Sequence, residues 1–349
     1  MAPVAQPLLG DVIVGSHSPT TEWVFGVVEA IVSRWAPERR CVRVDRFDRV
    51  DWLGSEPAVL LANYPSAQII DAVERDAVRV VYVWEDPDSV LDFMTSTLRL
   101  SPVEAIRSQS ASAVANLAVG RNRNVLLVTT RSLDDPDESA LRIAKHIGLA
   151  VSRQDIAAIV PPRARPDRGT PAREAGSRST VSLPAIRPST SWRRDQDLVE
   201  ACELILSPML AMARGDCTRP VVWPTAVFKF SDTPDGPAPL VAKISGPARN
   251  LYYGPYLYLP PARYRVEVLL EFSREIVDIP FIIEVHGSSW LANARINERR
   301  AGGYRGYFLL DHWDPTASLE IRLRNESPVA TGMLSLIELS FFVTHTAAA

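Results

Sequence analysis

The sequence has few cysteines and no long uncharged hydrophobic run. Its cysteines, Cys41, Cys202 and Cys217, are odd in number and show neither a disulfide framework nor a CxxC metal site. We therefore expect reduced, partly buried thiols. No stretch approaches about 18 apolar residues without a charge, which argues against a transmembrane helix. The amino-terminal residues lack the basic region of a secretory signal peptide. Together these absences predict a cytoplasmic protein.

An excess of charge of either sign is also absent. The 349 residues include 38 basic and 41 acidic side chains, for a formal net charge of −3. A dedicated nucleic-acid-binding protein usually carries a basic excess, so no specific nucleic-acid partner is expected. The hydrophobic fraction of 46% is ample for packed cores, and the length suggests two domains.

The first part of the chain alternates between short apolar strands and amphipathic helices. Strands are predicted at residues 11–15, 58–63, 78–84 and 125–130. Helices are predicted at residues 20–35, 66–75, 89–98, 102–117 and 138–147. This alternation predicts a parallel sheet with helices on both faces. We assign residues 1–159 to this α/β domain.

The composition changes twice further along the chain. Residues 160–195 hold eight arginines, three acidic residues and six prolines, which predicts a flexible basic linker. Contact of this linker with nucleic acid or anionic lipid is the alternative. Residues 196–219 are predicted to form a connecting helix that Pro208 kinks. Residues 220–346 show apolar alternation with period two, which predicts an antiparallel, jelly-roll-like β-sandwich domain.

The first predicted strand ends in a turn that opens a helix. At such a junction, backbone N–H groups and the helix dipole favour a phosphate. Residues 12–23, VIVGSHSPTTEW, do not form the GxxxxGK[ST] loop of ordinary ATPases and GTPases. The hydroxyl-bearing candidates for cofactor binding are Ser16, Ser18, Thr20 and Thr21. The alternative is that these residues form a helix N-cap, as Ser and Thr commonly do.

Motifs in the α/β domain occur in a recognisable order. Residues 16–21 read SHSPTT, residues 80–90 read VVYVWEDPDSV, and residues 125–149 form a strand followed by a helix that starts at Asp-Pro. They resemble three signatures of the sulfotransferase family, the second of them at Asp86, Pro87 and Val90. The resemblance implies a P-loop-like fold and the donor 3′-phosphoadenosine 5′-phosphosulfate.

The chain departs from the family pattern where the charges of that donor would lie. His17 replaces the cation of the loop, Pro19 replaces a glycine and has no N–H, and Glu85 replaces the arginine that would meet the 3′-phosphate. Carboxylates in place of phosphate contacts would repel the donor. We therefore expect a pseudoenzyme that uses no cofactor. An active transferase, with the donor held by the loop hydroxyls, is the alternative.

In an active transferase, His17 and Glu85 would be the catalytic candidates. The resemblance implies that His17 is a general base, and Glu85 follows a strand end where sites form in parallel sheets. Glu85, Asp86 and Asp88 have the chemistry of paired acids or Mg²⁺ ligands. The alternative is that Asp86 or Asp88 caps the next helix. No metal site is predicted, because no histidine has a convincing set of partner ligands.

Aromatic residues are dense in the second domain. Residues 251–272, LYYGPYLYLPPARYRVEVLLEF, resemble the opening of β-sandwich modules attached to bacterial glycan-processing and surface-polysaccharide proteins. The resemblance implies a glycan or a glycan-processing protein as partner. Aromatic rings stack on sugar rings, and the candidates are Tyr256, Trp290, Tyr304 and Trp313. Candidate polar contacts are Asn293, Arg295, Asn297, Asp311 and His312. The alternative is that these side chains pack at the edges of the sandwich.

These observations predict a divergent sulfotransferase-like protein of bacterial surface-glycan biology with a sandwich that binds a sugar or a partner. One alternative is an active sulfo- or related group transferase on a carbohydrate acceptor. The other is a non-catalytic protein whose sandwich mediates assembly, including assembly into homo-oligomers.

Overall fold

A computed structural model describes residues 10–44, 58–75, 77–120, 124–160, 196–213, 215–297 and 300–346. They divide into two compact units. The α/β unit takes the described residues within 1–98 and 115–189, and the β-sandwich unit takes those within 99–114 and 190–349. Apart from Val160, the predicted linker lies outside the described residues.

The α/β unit contains a five-stranded parallel sheet in the order β2-β3-β1-β4-β5. Its strands are β1 (Gly10–Gly15), β2 (Arg40–Val44), β3 (Ala58–Ala62), β4 (Val78–Trp84) and β5 (Val125–Thr129). The helices are α1 (Pro19–Trp35), α2 (Ala67–Glu74), α3 (Pro87–Ser96), α4 (Pro102–Gly120), α5 (Pro136–His146) and α6 (Arg153–Ala157). Residues 99–114, which include the first part of α4, group with the sandwich unit.

The predicted strands are confirmed, but β2 was missed. Its sequence, RCVRV, has arginines at positions 40 and 43 and therefore no continuous apolar run, and the strand lies at the edge of the sheet. An edge strand needs no continuous apolar run, so its signal in the sequence is weak.

Apolar side chains cover both faces of this sheet, as the alternation predicts. Ile13 of β1 packs on one face with Trp23 of α1 and Ile143 of α5. Val12 and Val14 belong to a second cluster on the other face, with side chains from α2 and α4. The sheet therefore has a core on each side, with α1 and α5 packed on one face and α2 and α4 on the other.

The β-sandwich unit follows α7 (Gln196–Ala213), a helix that continues through Pro208. Its first sheet has the order β13-β10-β15-β6, with β8 also paired to β15, and its second sheet has the order β12-β11-β14-β9-β7. The strands are β6 (Val221–Pro224), β7 (Lys229–Phe230), β8 (Val241–Gly246), β9 (Asn250–Leu257), β10 (Ala262–Phe272), β11 (Phe281–His286), β12 (Trp290–Ile296), β13 (Gly302–His312), β14 (Leu319–Asn325) and β15 (Val329–Thr346).

The inner faces of the two sheets meet through large side chains. The ring centroids of Phe272 on β10 and Phe281 on β11 lie 5.2 Å apart. Tyr252 on β9 donates a hydrogen bond to the carbonyl of Leu334 on β15 at 3.2 Å. All pairings in both sheets are antiparallel, so the predicted sandwich is confirmed. Within the described residues, no helix is long and apolar enough to cross a membrane.

Candidate functional site

The predicted cofactor loop lies beyond the carboxyl end of β1, beside the carboxyl end of β4. Gly15 pairs with Val83 in the register of the sheet, so the residues after the two strands emerge side by side. After β1, the chain forms β2 and β3 on one side of β1 within the sheet, and it then crosses over to form β4 on the other side of β1. Ligands of open parallel sheets bind at such an edge.

Ser18 is the N-cap of α1. Its backbone is extended, with φ −157°, and its Oγ accepts a hydrogen bond from the N–H of Thr21 at 3.1 Å. The same Oγ donates to Thr21 Oγ1 at 3.0 Å. Both side chains are fully buried. The cap interpretation therefore describes the structure, and two of the predicted cofactor hydroxyls bind each other.

Thr20 contacts Glu85, the residue that follows β4. The backbone N–H of Thr20 donates to Glu85 Oε2 at 3.1 Å, and both residues are buried. The Glu85 carboxylate thus accepts a backbone hydrogen bond at the positive end of α1, where an anion is favoured. From the resemblance, Glu85 was expected opposite a 3′-phosphate, whereas the structure places it against the loop itself.

His17 lies on the outer side of the same loop and is partly exposed. Its ring meets Tyr64 edge-on, with centroids 5.3 Å apart. Asn63, after β3, donates to the carbonyl of Gly15 at 3.2 Å and ties the loop to the neighbouring strand. Ser16 is also partly exposed. His17 and Ser16 therefore remain candidates for contact with a ligand.

Asp86 caps the helix after β4. Its Oδ1 accepts a hydrogen bond from the N–H of Asp88 at 3.0 Å, and α3 begins at Pro87 rather than near Ser89. This contact favours the capping interpretation over a pair of catalytic acids. No group of three or more metal-ligating side chains occurs within the described ranges.

A second candidate site is the outer face of the second sheet. Trp290 on β12 lies opposite His286 on β11, and His286 lies opposite Glu320 on β14. On β9, Pro255 lies opposite Glu320 at an irregularity in the register, and the next residue, Tyr256, reaches Glu320 through a hydrogen bond. Directly opposed residues of antiparallel strands point to the same face. We call the side chains of Trp290, His286, Glu320 and Tyr256 the outer row. The intervening residues of β11 and β14 are buried on the inner face.

Tyr256 is held from several directions. Its hydroxyl donates to Glu320 Oε1 at 2.9 Å, and the Arg107 guanidinium carbon lies 5.3 Å from its ring centroid. Arg107 Nε also donates to the carbonyl of Pro255 at 3.0 Å. The backbone of Tyr256 has φ +63°, a conformation that is uncommon for a bulky side chain. These contacts hold the ring in one orientation.

The charge of Glu320 depends on the same contacts. Burial alone would raise its pKa, but hydrogen bonds from Arg322 and Tyr256 lower it below 4.5. Arg322 Nη2 lies 2.6 Å from Glu320 Oε2. Burial, together with the bond to Glu320, raises the pKa of Tyr256 to about 12. Glu320 is therefore an ionised acceptor and Tyr256 a neutral donor at neutral pH.

An adjacent row of side chains lies on the same face. Asn293, Glu284, Arg322 and Tyr253 occupy successive opposed positions on β12, β11, β14 and β9. Arg324 Nε lies 3.2 Å from Glu284 Oε1. The outer face thus combines aromatic rings with carboxylate, guanidinium and amide groups.

Arg295, a predicted sugar contact, is also on β12, where it pairs with Glu326, whereas four other candidates lie outside the second sheet. Tyr304 is on β13 of the first sheet, where its ring packs against Phe272 and its hydroxyl donates to the carbonyl of Arg300. Trp313 follows β13 and is 46% exposed. His312 is buried, and its Nε2 donates to the carbonyl of Leu259 at 3.0 Å. Asp311 pairs with Arg263.

Several polar residues of the outer face were not predicted from the sequence as candidates for sugar contact, among them Glu284, His286 and Glu320. Their signal was present in the strands FIIEVH and LEIRLRN, where polar residues occupy alternate positions. The alternation predicts that the polar residues share a face within each strand. It does not predict which strand lies beside which.

Comparisons with known proteins find relatives by structure only. No family profile and no curated protein matches the chain. A mouse sulfotransferase, SULT7A1, complexed with PAP has 14% identity over 44% of this chain and 63% of that chain, with TM-score 0.34. Retinol dehydratase in complex with androsterone and inactive cofactor PAP gives the same identity and coverage, with TM-score 0.30. The chain thus spans less than two thirds of each.

The sandwich has relatives of another kind. The carbohydrate-binding module TmCBM61 in complex with β-1,4-galactotriose has 9% identity over 37% of this chain and 92% of that chain, with TM-score 0.25. The C-terminal family 22 carbohydrate-binding module of Clostridium thermocellum Xyn10B has 12% identity over 37% and 84%, with TM-score 0.22. At 14% identity or less and TM-scores of 0.34 or less, these similarities assign the chain to no family.

Proposed function

We propose that this chain is a glycan-binding protein of bacterial surface-glycan biology, in which the sandwich binds a saccharide and the sulfotransferase-like unit takes no sulfate donor. The observation that carries the proposal is the outer row. Tyr256 and Trp290 lie at its ends, with Glu320 and His286 between them.

The dimensions of the outer row suit an oligosaccharide. It crosses four strands, so its ends are three strand spacings, or roughly 14 Å, apart. Trp290 is 56% exposed and offers a ring face on which the C–H face of a sugar stacks. The carboxylate of Glu320 and the imidazole of His286 supply hydrogen-bonding groups for sugar hydroxyls.

The fixed orientation of the Tyr256 ring also supports saccharide binding. The ring of Tyr256 is held by Arg107 and its hydroxyl by Glu320 before any ligand arrives. A preorganised ring loses little side-chain entropy when it binds, so more of the contact energy appears as affinity.

The α/β unit fits a non-catalytic role in this proposal. Because Glu85 takes the Thr20 N–H, and Ser18 takes that of Thr21, the loop favours no donor cofactor. His17 and Glu85 would be catalytic only in the alternative of an active transferase. We also propose a cytoplasmic location, a glycan or glycan-processing partner, and domains at residues 1–159 and 220–346 joined by residues 160–195 and 196–219.

A glycan array with the full-length protein tests this function, followed by calorimetry with the glycans that bind. We expect Trp290→Ala to raise the Kd at least about tenfold, because it removes an exposed aromatic contact of the outer row. The matched control is Trp313→Ala, which removes an exposed tryptophan outside that row and should leave the Kd unchanged.

Two results would overturn the proposal. One is the absence of binding to any glycan by folded wild-type protein. The other is an equal loss of affinity in the two tryptophan variants, because the outer row would then have no special part in binding.

Assembly through the first sheet is a second candidate, and exposed residues of its edge strand favour it. Tyr307 and Leu309 on β13 are 74% and 61% exposed. Such side chains on an edge strand suit contact with a second copy of the chain. Light scattering would show an oligomer whose mass falls in Leu309→Lys and not in Leu240→Lys, a control at another exposed leucine. A monomeric wild type would exclude this candidate.

A further inference from the structure

Glu85 is a buried acid with no role in the glycan site. It is 5% exposed, and one of its oxygens accepts from Thr20. Its other oxygen, Oε1, has no hydrogen-bond partner within the described part of the chain, and the same holds for Thr20 Oγ1. Buried polar atoms without partners are costly, and they mark places where a different occupant would make better contacts.

Among the first three residues of α1, only Thr20 has a backbone N–H that is neither missing nor bound to Ser18. Pro19 at the first position of α1 has no N–H, and the N–H of Thr21 binds Ser18. The Thr20 N–H is therefore the donor of this helix end that an external anion needs, and it binds Glu85. A tetrahedral oxyanion at this position would bring several acceptor oxygens to Thr20, including one for its hydroxyl.

We propose that the Glu85 carboxylate takes the place of an external anion at the start of α1. A site for a sulfate or phosphate group lies there, and the carboxylate blocks it. This inference deepens the proposal that the α/β unit takes no sulfate donor, and it rests on that proposal. Glu85 excludes an oxyanion in two ways. It holds the Thr20 N–H, and its negative charge repels a second anion at close range.

The test is a titration of the full-length protein with inorganic phosphate, starting from a phosphate-free buffer. Calorimetry measures binding, and thermal unfolding measures the melting temperature at each phosphate concentration. Sodium chloride of equal ionic strength separates specific binding from screening. Wild type should show no saturable signal. Glu85→Ala should bind phosphate saturably, with a Kd at least about tenfold below any value for wild type, and its melting temperature should rise with phosphate.

A second variant guards against a folding defect. Glu85→Gln keeps an oxygen that accepts from Thr20 but loses the charge, so its Kd for phosphate should lie between those of wild type and Glu85→Ala. The matched control is Glu22→Gln, which removes a negative charge from the first turn of the same helix without touching Thr20. It should bind phosphate no better than wild type.

Three results would overturn the inference. They are saturable binding by wild type as tight as by Glu85→Ala, an equal gain in Glu22→Gln, and no saturable binding by folded Glu85→Ala or Glu85→Gln. None of them bears on the glycan array, because the array reports on the sandwich unit. Failure of this inference and failure of the glycan function can therefore be told apart.

Discussion

Arg79 on β4 binds Asp11 on β1 through two parallel hydrogen bonds, from Nε to Oδ1 at 2.6 Å and from Nη2 to Oδ2 at 3.1 Å. Arg39 also donates to Asp11 Oδ2 and to the carbonyl of Ile147 at 3.0 Å. The Asp11 side chain is fully buried. This network lies near the amino-terminal end of the sheet, away from the loop that follows β1, and connects β1, β4 and the end of α5.

We expect Asp11→Asn to destabilise the protein by about 3–5 kcal/mol, because it removes the charge that compensates two partly buried guanidinium groups. Urea unfolding measures the change. Asp71→Asn is the control, since Asp71 and its partner Arg75 are mostly exposed and such pairs contribute less than about 1 kcal/mol. Equal effects of the two substitutions would show that burial does not matter here.

Gly15 has no room for a side chain. A Cβ at this position would lie 2.6 Å from Thr21 Oγ1 and 2.8 Å from Val83 Cβ. Gly15→Ala should therefore destabilise the α/β unit by about 1–3 kcal/mol, as overpacking does. Gly306→Ala, where nothing lies within 4 Å of the new Cβ, is the control. Urea unfolding measures the free energy of unfolding of both variants. An unchanged urea midpoint in Gly15→Ala would contradict the prediction.

His312 should make stability depend on pH. Burial lowers its pKa below 6.5, although the hydrogen bond to Leu259 and the charge of Asp314 oppose this. As pH falls through 6.5, the unfolded state binds a proton that the native state does not, so stability decreases toward acid. His312→Gln should reduce this decrease between about pH 7.5 and 5. The melting temperature is measured as a function of pH for both proteins, and His345→Gln, at an exposed histidine, is the control. If the curves of His312→Gln and wild type are parallel, the prediction is wrong.

Tyr256→Phe should raise the pKa of Glu320. The hydroxyl of Tyr256 is one of two donors that lower this pKa, so its removal weakens the stabilisation of the carboxylate. Carboxyl titration by NMR gives the value directly. Tyr253→Phe changes a tyrosine of the adjacent row and should have a smaller effect. If the pKa of Glu320 is the same in Tyr256→Phe and wild type, the hydrogen bond does not contribute.

Local signals predicted much of this molecule. A helix N-cap was the alternative to cofactor binding at the loop hydroxyls, and a cap at Asp86 or Asp88 was the alternative to paired acids; Ser18 and Asp86 are the caps. The alternating residues of β10 predicted their burial. These features depend on neighbours along the chain, so their residue types carry the information.

Contacts between distant segments were not predictable in this way. Thr20 and Glu85 are 65 residues apart in sequence, and they meet because β4 pairs with β1. The sequence places Glu85 at a strand end and Thr20 just after another, but it does not predict that β4 lies next to β1. For the same reason it grouped Tyr304 and Trp313 with Tyr256 and Trp290, although the structure puts Tyr304 in the other sheet.

The sequence alone determined the two fold classes, the positions of most strands and the departures from the sulfotransferase pattern. It did so because hydrophobic period, turn residues and capping residues act over a few positions. Only the tertiary structure decided that Glu85 faces the loop and that the outer row lies on one face. Strand order and register set those contacts, and a shift of one residue would send every side chain of a strand to the opposite face.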